Sequence, residues 1–115
     1  MNVEKLRLLI DENVRLAQGR VDAFKAEVAK NPYHALVWSG QIFVATAILD
    51  VMGPFQEAIK ADDVQYDGLY VRLLERVMYS AKSIENSTSP QSVYMDRCIL
   101  AARARLAEIV KECDE

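Results

Sequence analysis

Between Ala35 and Leu49 the chain carries no charged side chain, and Asp50 is the single formal charge between Ala35 and Gln56. No other stretch is as apolar, so whatever the fold is, it must cover this segment. A helix that spans a bilayer needs about 20 predominantly apolar residues. Here the uncharged run before Asp50 is shorter. Ser39, Gly40, Gln41 and Thr46 dilute it, and no Lys/Arg cluster flanks it as an orientation signal. We therefore read it as a helix of a soluble protein with no membrane partner.

Within that helix the small or polar positions Ser39, Thr46, Asp50, Gly53 and Glu57 fall on one narrow stripe. Leu36, Val37, Trp38, Ile42, Phe43, Val44, Ile48, Leu49, Val51, Met52 and Phe55 cover the remaining arc. A helix that is apolar nearly all round is buried nearly all round, and a chain of 115 residues has few other helices to surround it. A second copy is the simplest cover, because obligate interfaces resemble a core cut in half. We expect a homo-oligomer, with a dimer favoured, joined through Phe43, Val44, Ile48 and Val51. The competing reading is a monomer whose own helices wrap the central one. Gly40, Ala45 and Ala47 are small enough to let another helix approach. Pro54 lacks an N–H and clashes with the preceding turn, so the helix is expected to kink or restart there, with 55–61 as a short continuation.

The other segments read as amphipathic helices. Val3, Leu6, Ile10, Val14, Ala17, Val21, Phe24 and Val28 recur at three- and four-residue steps and predict a helix over 3–30. Asn2 is its expected cap, and Asn31-Pro32 its stop. Glu4–Arg7, Glu12–Arg15, Asp22–Lys25 and Glu27–Lys30 are expected pairs on its solvated face. The short connection predicts a long antiparallel hairpin with the second helix. A third helix is expected over 69–85, with Tyr66, Tyr70, Leu73, Val77, Ala81 and Ile84 as its inner stripe and Asp67 as its cap. After the loop 86–90, Ser89-Pro90 opens a fourth helix reaching Cys113. Its stripe is Met95, Ile99, Ala102, Leu106, Ile109 and Cys113, and the tail from Lys111 is expected to fray. The fold class is all-α, a single-domain antiparallel bundle of about four helices over 1–115.

The formal net charge of −3 speaks against nucleic acid as a partner. Cys98 and Cys113 are separated by roughly 22 Å of helix and cannot pair within it. Two unpaired thiols, and an N-terminus charged from its fourth residue on, point to the cytoplasm. The sequon Asn86-Ser87-Thr88 is discounted on the same ground.

A nucleophile with its base is not recognisable. The single histidine, His34, excludes multi-histidine metal sites, and no Gly-rich phosphate loop occurs. The aspartates at 62–68 lack the spacing of a calcium loop. We expect no cofactor and no bound metal, and the balance is against an enzyme, although a site built on carboxylates leaves no signature. Asp50 is the one carboxylate expected to be partly buried, paired with an arginine of the third or fourth helix. Arg72 and Arg76 stand one turn apart, and Arg97 and Arg105 two turns apart. With Arg103 and Tyr94 they could meet an anion or an acidic partner, or they are ordinary solvated faces. Tyr33, His34 and Trp38 gather at the first turn, as a binding surface or a core edge. The leading functional reading is a self-associating helical interaction module that engages a protein partner as an adaptor, assembly factor or inhibitor. The alternative is a helical protein that holds a small anion or nucleotide between helices or protomers.

Overall fold

The structure, a computed structural model, describes residues 1–87 and 89–114, without the side chains of Gln91 and Ser92. Thr88 of the sequon and Glu115 of the tail lie outside the described residues. Four helices follow in chain order: α1 (Val3–Lys30), α2 (His34–Lys60), α3 (Leu69–Glu85) and α4 (Pro90–Cys113). Among the described residues there is no strand, and the helices pair as a bundle.

The caps of α1 act as its sequence requires. The Asn2 side chain accepts from the Lys5 N–H at 3.1 Å. At the other end Asn31 turns extended, and its Oδ1 accepts from the Tyr33 N–H at 3.0 Å. Arg7 pairs with Glu4, Arg15 with Glu12 at 3.0 Å and Lys30 with Glu27 at 3.9 Å. The fourth expected pair is replaced: Asp22 accepts from Gln18 Nε2 at 3.1 Å instead of pairing with Lys25. Gly19 is exposed in the helix interior, and a Cβ there would meet nothing within 4 Å. Gly19→Ala is therefore expected to stabilise the protein by about 0.8–1 kcal/mol. The reading is a higher urea midpoint at unchanged slope.

Two expectations at helix ends are corrected. Of the kink or restart expected at Pro54, the restart is corrected: α2 runs through it to Lys60. Gly53 carries no Cβ to clash with the Pro54 ring. Pro54 and Asp50 are both exposed, so the Asp50 carbonyl that loses its helical donor faces water. At α3, Gly68 rather than Asp67 stands at the cap, with φ of 70° and no side-chain cap bond. That left-handed conformation suits glycine. The turn is held from inside the helix: Arg72 donates to the carbonyls of Gln65 and Asp67.

The end of α4 does not fray at Lys111. Cys113 is 1% exposed, and its carbonyl accepts from the Asn2 N–H at 2.8 Å. It belongs to a cluster made of Leu6 and Ile10 of α1, Met52 and Ile59 of α2, Leu69 and Leu73 of α3, and Leu106 to Cys113 of α4. Every member comes from the same end of its helix pairing, so the core is polarised. Toward the other end, the buried residues are the small Ala17, Ala45, Ala47, Ser80 and Ala102. There Phe24, Val28, Trp38, Ile42 and Phe43 are only half-buried.

This leaves the chain open. Its radius of gyration is 15.6 Å, against about 13 Å for a compact chain of this length. Its accessible surface is 7474 Å² for 13.0 kDa, about 1,100 Å² more than the size relation for folded monomers gives. The cause is the packing order. α1 packs on α2, α2 on α4 and α4 on α3, with a further contact between α1 and α4. Among the described residues, α3 brings no Cα within 8 Å of α1 or α2.

Candidate functional site

That packing order makes two concave surfaces. Because α2 and α3 both lean on α4 without touching each other's backbone, a cleft of about 400 Å³ lies between them. Leu106 of α4 forms its floor, and the connection 61–68 closes one end. The second surface lies at the open end, where α2 passes over the start of α4. Tyr94 reaches across, its hydroxyl donating to the Gly40 carbonyl at 3.3 Å. Its ring meets that of Phe43 edge-on at 5.7 Å. The approach depends on Gly40, since a Cβ there would stand 3.2 Å from the Tyr94 hydroxyl. Beside this contact runs a groove of about 290 Å³ lined by Val44, Ile48, Tyr94, Cys98, Ala101 and Ala102, with Arg97 and Arg105 at its rim.

The five arginines singled out by sequence divide between these surfaces. Arg72, Arg76 and Arg103 line the cleft; Arg97 and Arg105 line the groove. Arg103 donates to the Ser80 hydroxyl at 2.5 Å, which gives the buried Ser80 its partner. Arg105 lies 3.5 Å from Glu108 and 3.9 Å from Glu112, so carboxylates already compensate its charge. Asp50 corrects an expectation. It is exposed rather than partly buried. It lines the cleft with the three arginines, yet among the described residues no basic group stands within ion-pair distance of it. On α2 it shares the polar stripe with Ser39 and Glu57, which are exposed as well.

His34 Nδ1 lies 3.0 Å from Glu27 Oε2 without the alignment of a hydrogen bond. With Gln56 Nε2 donating to Asp11 Oδ1 at 2.8 Å, it joins α2 to α1 at both ends. Trp38 is half-buried one turn on from His34, while Tyr33 is exposed. Of the residues expected at an interface, Ile48 and Val51 pack against the protomer's own core. Phe43 is half-buried against Tyr94, and Val44 is 42% exposed.

Sequence reasoning missed the most exposed apolar residues. Leu36 and Val37 of α2 are 79% and 76% exposed. Only 17% of the most apolar 18-residue window of α2 is buried, and by length and composition this helix is long and apolar enough to cross a bilayer. On α3 a second row, Val71, Leu74 and Met78 with Ala81, faces away from the core, which corrects the expectation that Ala81 belongs to the inner stripe. Its three- and four-residue steps were present in the sequence beside the inner stripe.

Among the described residues no three His, Cys, Asp or Glu side chains gather where they could hold a metal ion. Both cysteines are free thiols. Burial pushes the Cys113 thiol above its ordinary range, with Lys5 opposing that shift. Under native conditions iodoacetamide is expected to label Cys98 first and to reach Cys113 only through unfolding, as peptide mass spectrometry would show. Equal rates would put Cys113 outside the core. Comparison of the chain with protein-family models, with curated proteins and with solved structures finds no match.

Proposed function

We propose that this protein is a small non-enzymatic helical interaction module that works as a homodimer. Its long α1–α2 hairpin presents the N-terminal part of α2, around Leu36, Val37, Phe43 and Val44, to a second copy. The observation that carries the reading is the surplus surface. About 1,100 Å² of excess per protomer exceeds the roughly 800 Å² that each partner contributes to a standard interface. Exposed apolar side chains mark where on α2 it lies. The strip from Tyr33 to Val44 is roughly 18 Å of helix, too short to span a hydrocarbon core of about 30 Å. The polar Ser39 and Gln41 interrupt it. A second copy therefore suits it better than a bilayer. The outer row of α3 is the face offered to a protein partner, in the manner of an adaptor, assembly factor or inhibitor.

Sedimentation velocity of the full chain from 1 to 100 μM, run with and without phosphatidylcholine vesicles, tests this. A dimer without vesicles supports the proposal. A monomer at every concentration overturns it, and a monomer that floats with vesicles assigns α2 to the bilayer instead.

A further inference from the structure

The cleft between α2 and α3 has a chemistry that self-association does not use. Its inner surface is apolar: Val51 and Phe55 from α2, Leu69 and Leu73 from α3, Leu106 from α4. Three arginines from two helices, Arg72 and Arg76 of α3 and Arg103 of α4, line the cleft as well. Among the described residues none of the three has a carboxylate within 4 Å, whereas Arg7 and Arg15 on α1 and Arg105 at the groove are each paired with one.

The anchors of these arginines are neutral. Arg72 is fixed by backbone carbonyls, at 2.6 Å for Asp67, and Arg103 by the Ser80 hydroxyl. A neutral acceptor orients a guanidinium and leaves its charge uncompensated, and each group has five N–H donors of which these contacts use few. Arg76, one turn from Arg72, is exposed at the same wall. Two carboxylates, Asp50 and Asp63, also line the cleft. Three positive and two negative charges leave one net positive charge. That balances a monoanion and leaves the further charge of a di- or triphosphate uncompensated. A cleft of about 400 Å³ lies within the usual range for small-molecule sites, roughly 300–1,000 Å³.

We propose that this cleft binds a small organic monoanion with an apolar body, an acyl or aryl carboxylate. The carboxylate meets Arg76 and the free N–H groups of Arg72 and Arg103, and the hydrocarbon part lies along Phe55, Leu73 and Leu106. The site does not depend on the dimer, since every residue named belongs to one protomer.

The test is calorimetric titration of the full chain with decanoate below its micellar concentration, with decanol as the uncharged comparison. One decanoate per protomer is expected, with decanol binding at least tenfold more weakly. Arg76→Ala, on an exposed position, is expected to weaken decanoate about ten- to hundredfold, and Arg97→Ala to leave it unchanged. Amide NMR shifts on titration are expected at 50–58, 63–76 and 103–106. Absence of binding at millimolar decanoate overturns the proposal. So does equal affinity in Arg76→Ala, or shifts confined to 33–44, which would mean that the alkyl chain is only covering the exposed strip of α2.

Discussion

Met52→Ala is expected to cost the fold about 2–5 kcal/mol and to lower the thermal midpoint by roughly 10–20 °C. Met52 is 0% exposed and sits in a cluster to which all four helices contribute. Truncation removes the side-chain atoms beyond Cβ and leaves a space that the surrounding helices close only in part. Methionine is an adaptable, gap-filling side chain, so the lower part of the range is the better expectation. For a domain whose whole stability is about 5–15 kcal/mol, that is a large fraction. Leu36→Ala, at the open end, is expected to change the stability of the dilute protomer by no more than about 0.5 kcal/mol. Urea unfolding of the two variants below the dimerisation concentration makes the comparison. A loss under about 1 kcal/mol for Met52→Ala would mean that stability is spread along the bundle and not held at one end.

Val37→Asp combined with Val44→Asp is expected to turn the proposed dimer into a monomer. Both positions are exposed in the protomer, so the substitution leaves the internal core alone. In a dimer joined through α2 it buries four carboxylates without partners. Each such burial costs several kcal/mol, enough to weaken association more than a hundredfold. Sedimentation velocity reads the association, and the helical circular-dichroism signal, expected to stay unchanged, reads the fold. A double variant that still dimerises would move the interface off α2, most simply to the outer row of α3. Ile48→Asp is a poorer test, because Ile48 packs on the protomer's own core and its loss of solubility would not separate folding from association.

The helices were legible in the sequence because their determinants are local. Eight apolar residues in step define α1, and asparagines close it at both ends. The bounds of α3 follow from its stripe and the turn residues around it. What failed depended on neighbours. Pro54 reads as a break until Gly53 before it and the exposure of Asp50 are considered together. Asp67 reads as a cap until Arg72 is seen holding the turn from within the helix. Cys113 reads as a frayed end until the chain's first turn packs against it. The arginines were legible as individuals but not as sets. Nothing in their spacing says that Arg103 of α4 joins Arg72 and Arg76 while Arg97 and Arg105 do not. That grouping follows from α2 and α3 sharing α4 without meeting. The apolar excess of α2 was legible from composition alone; its concentration before Val44 was not, because it follows from where the core lies.

Placing that core where residues 6–10 meet residues 106–113 has a consequence for synthesis. A ribosome adds about 5–20 residues per second, so Leu6 and Ile10 wait roughly 5–20 s for their partners on α4. For the last roughly 2–9 s of that interval, once Lys60 has been added, α1 and α2 exist without the helix that joins them to α3, and α2 is then at its most exposed. The pairing of copies proposed above therefore has the apolar strip of α2 available before the single chain closes.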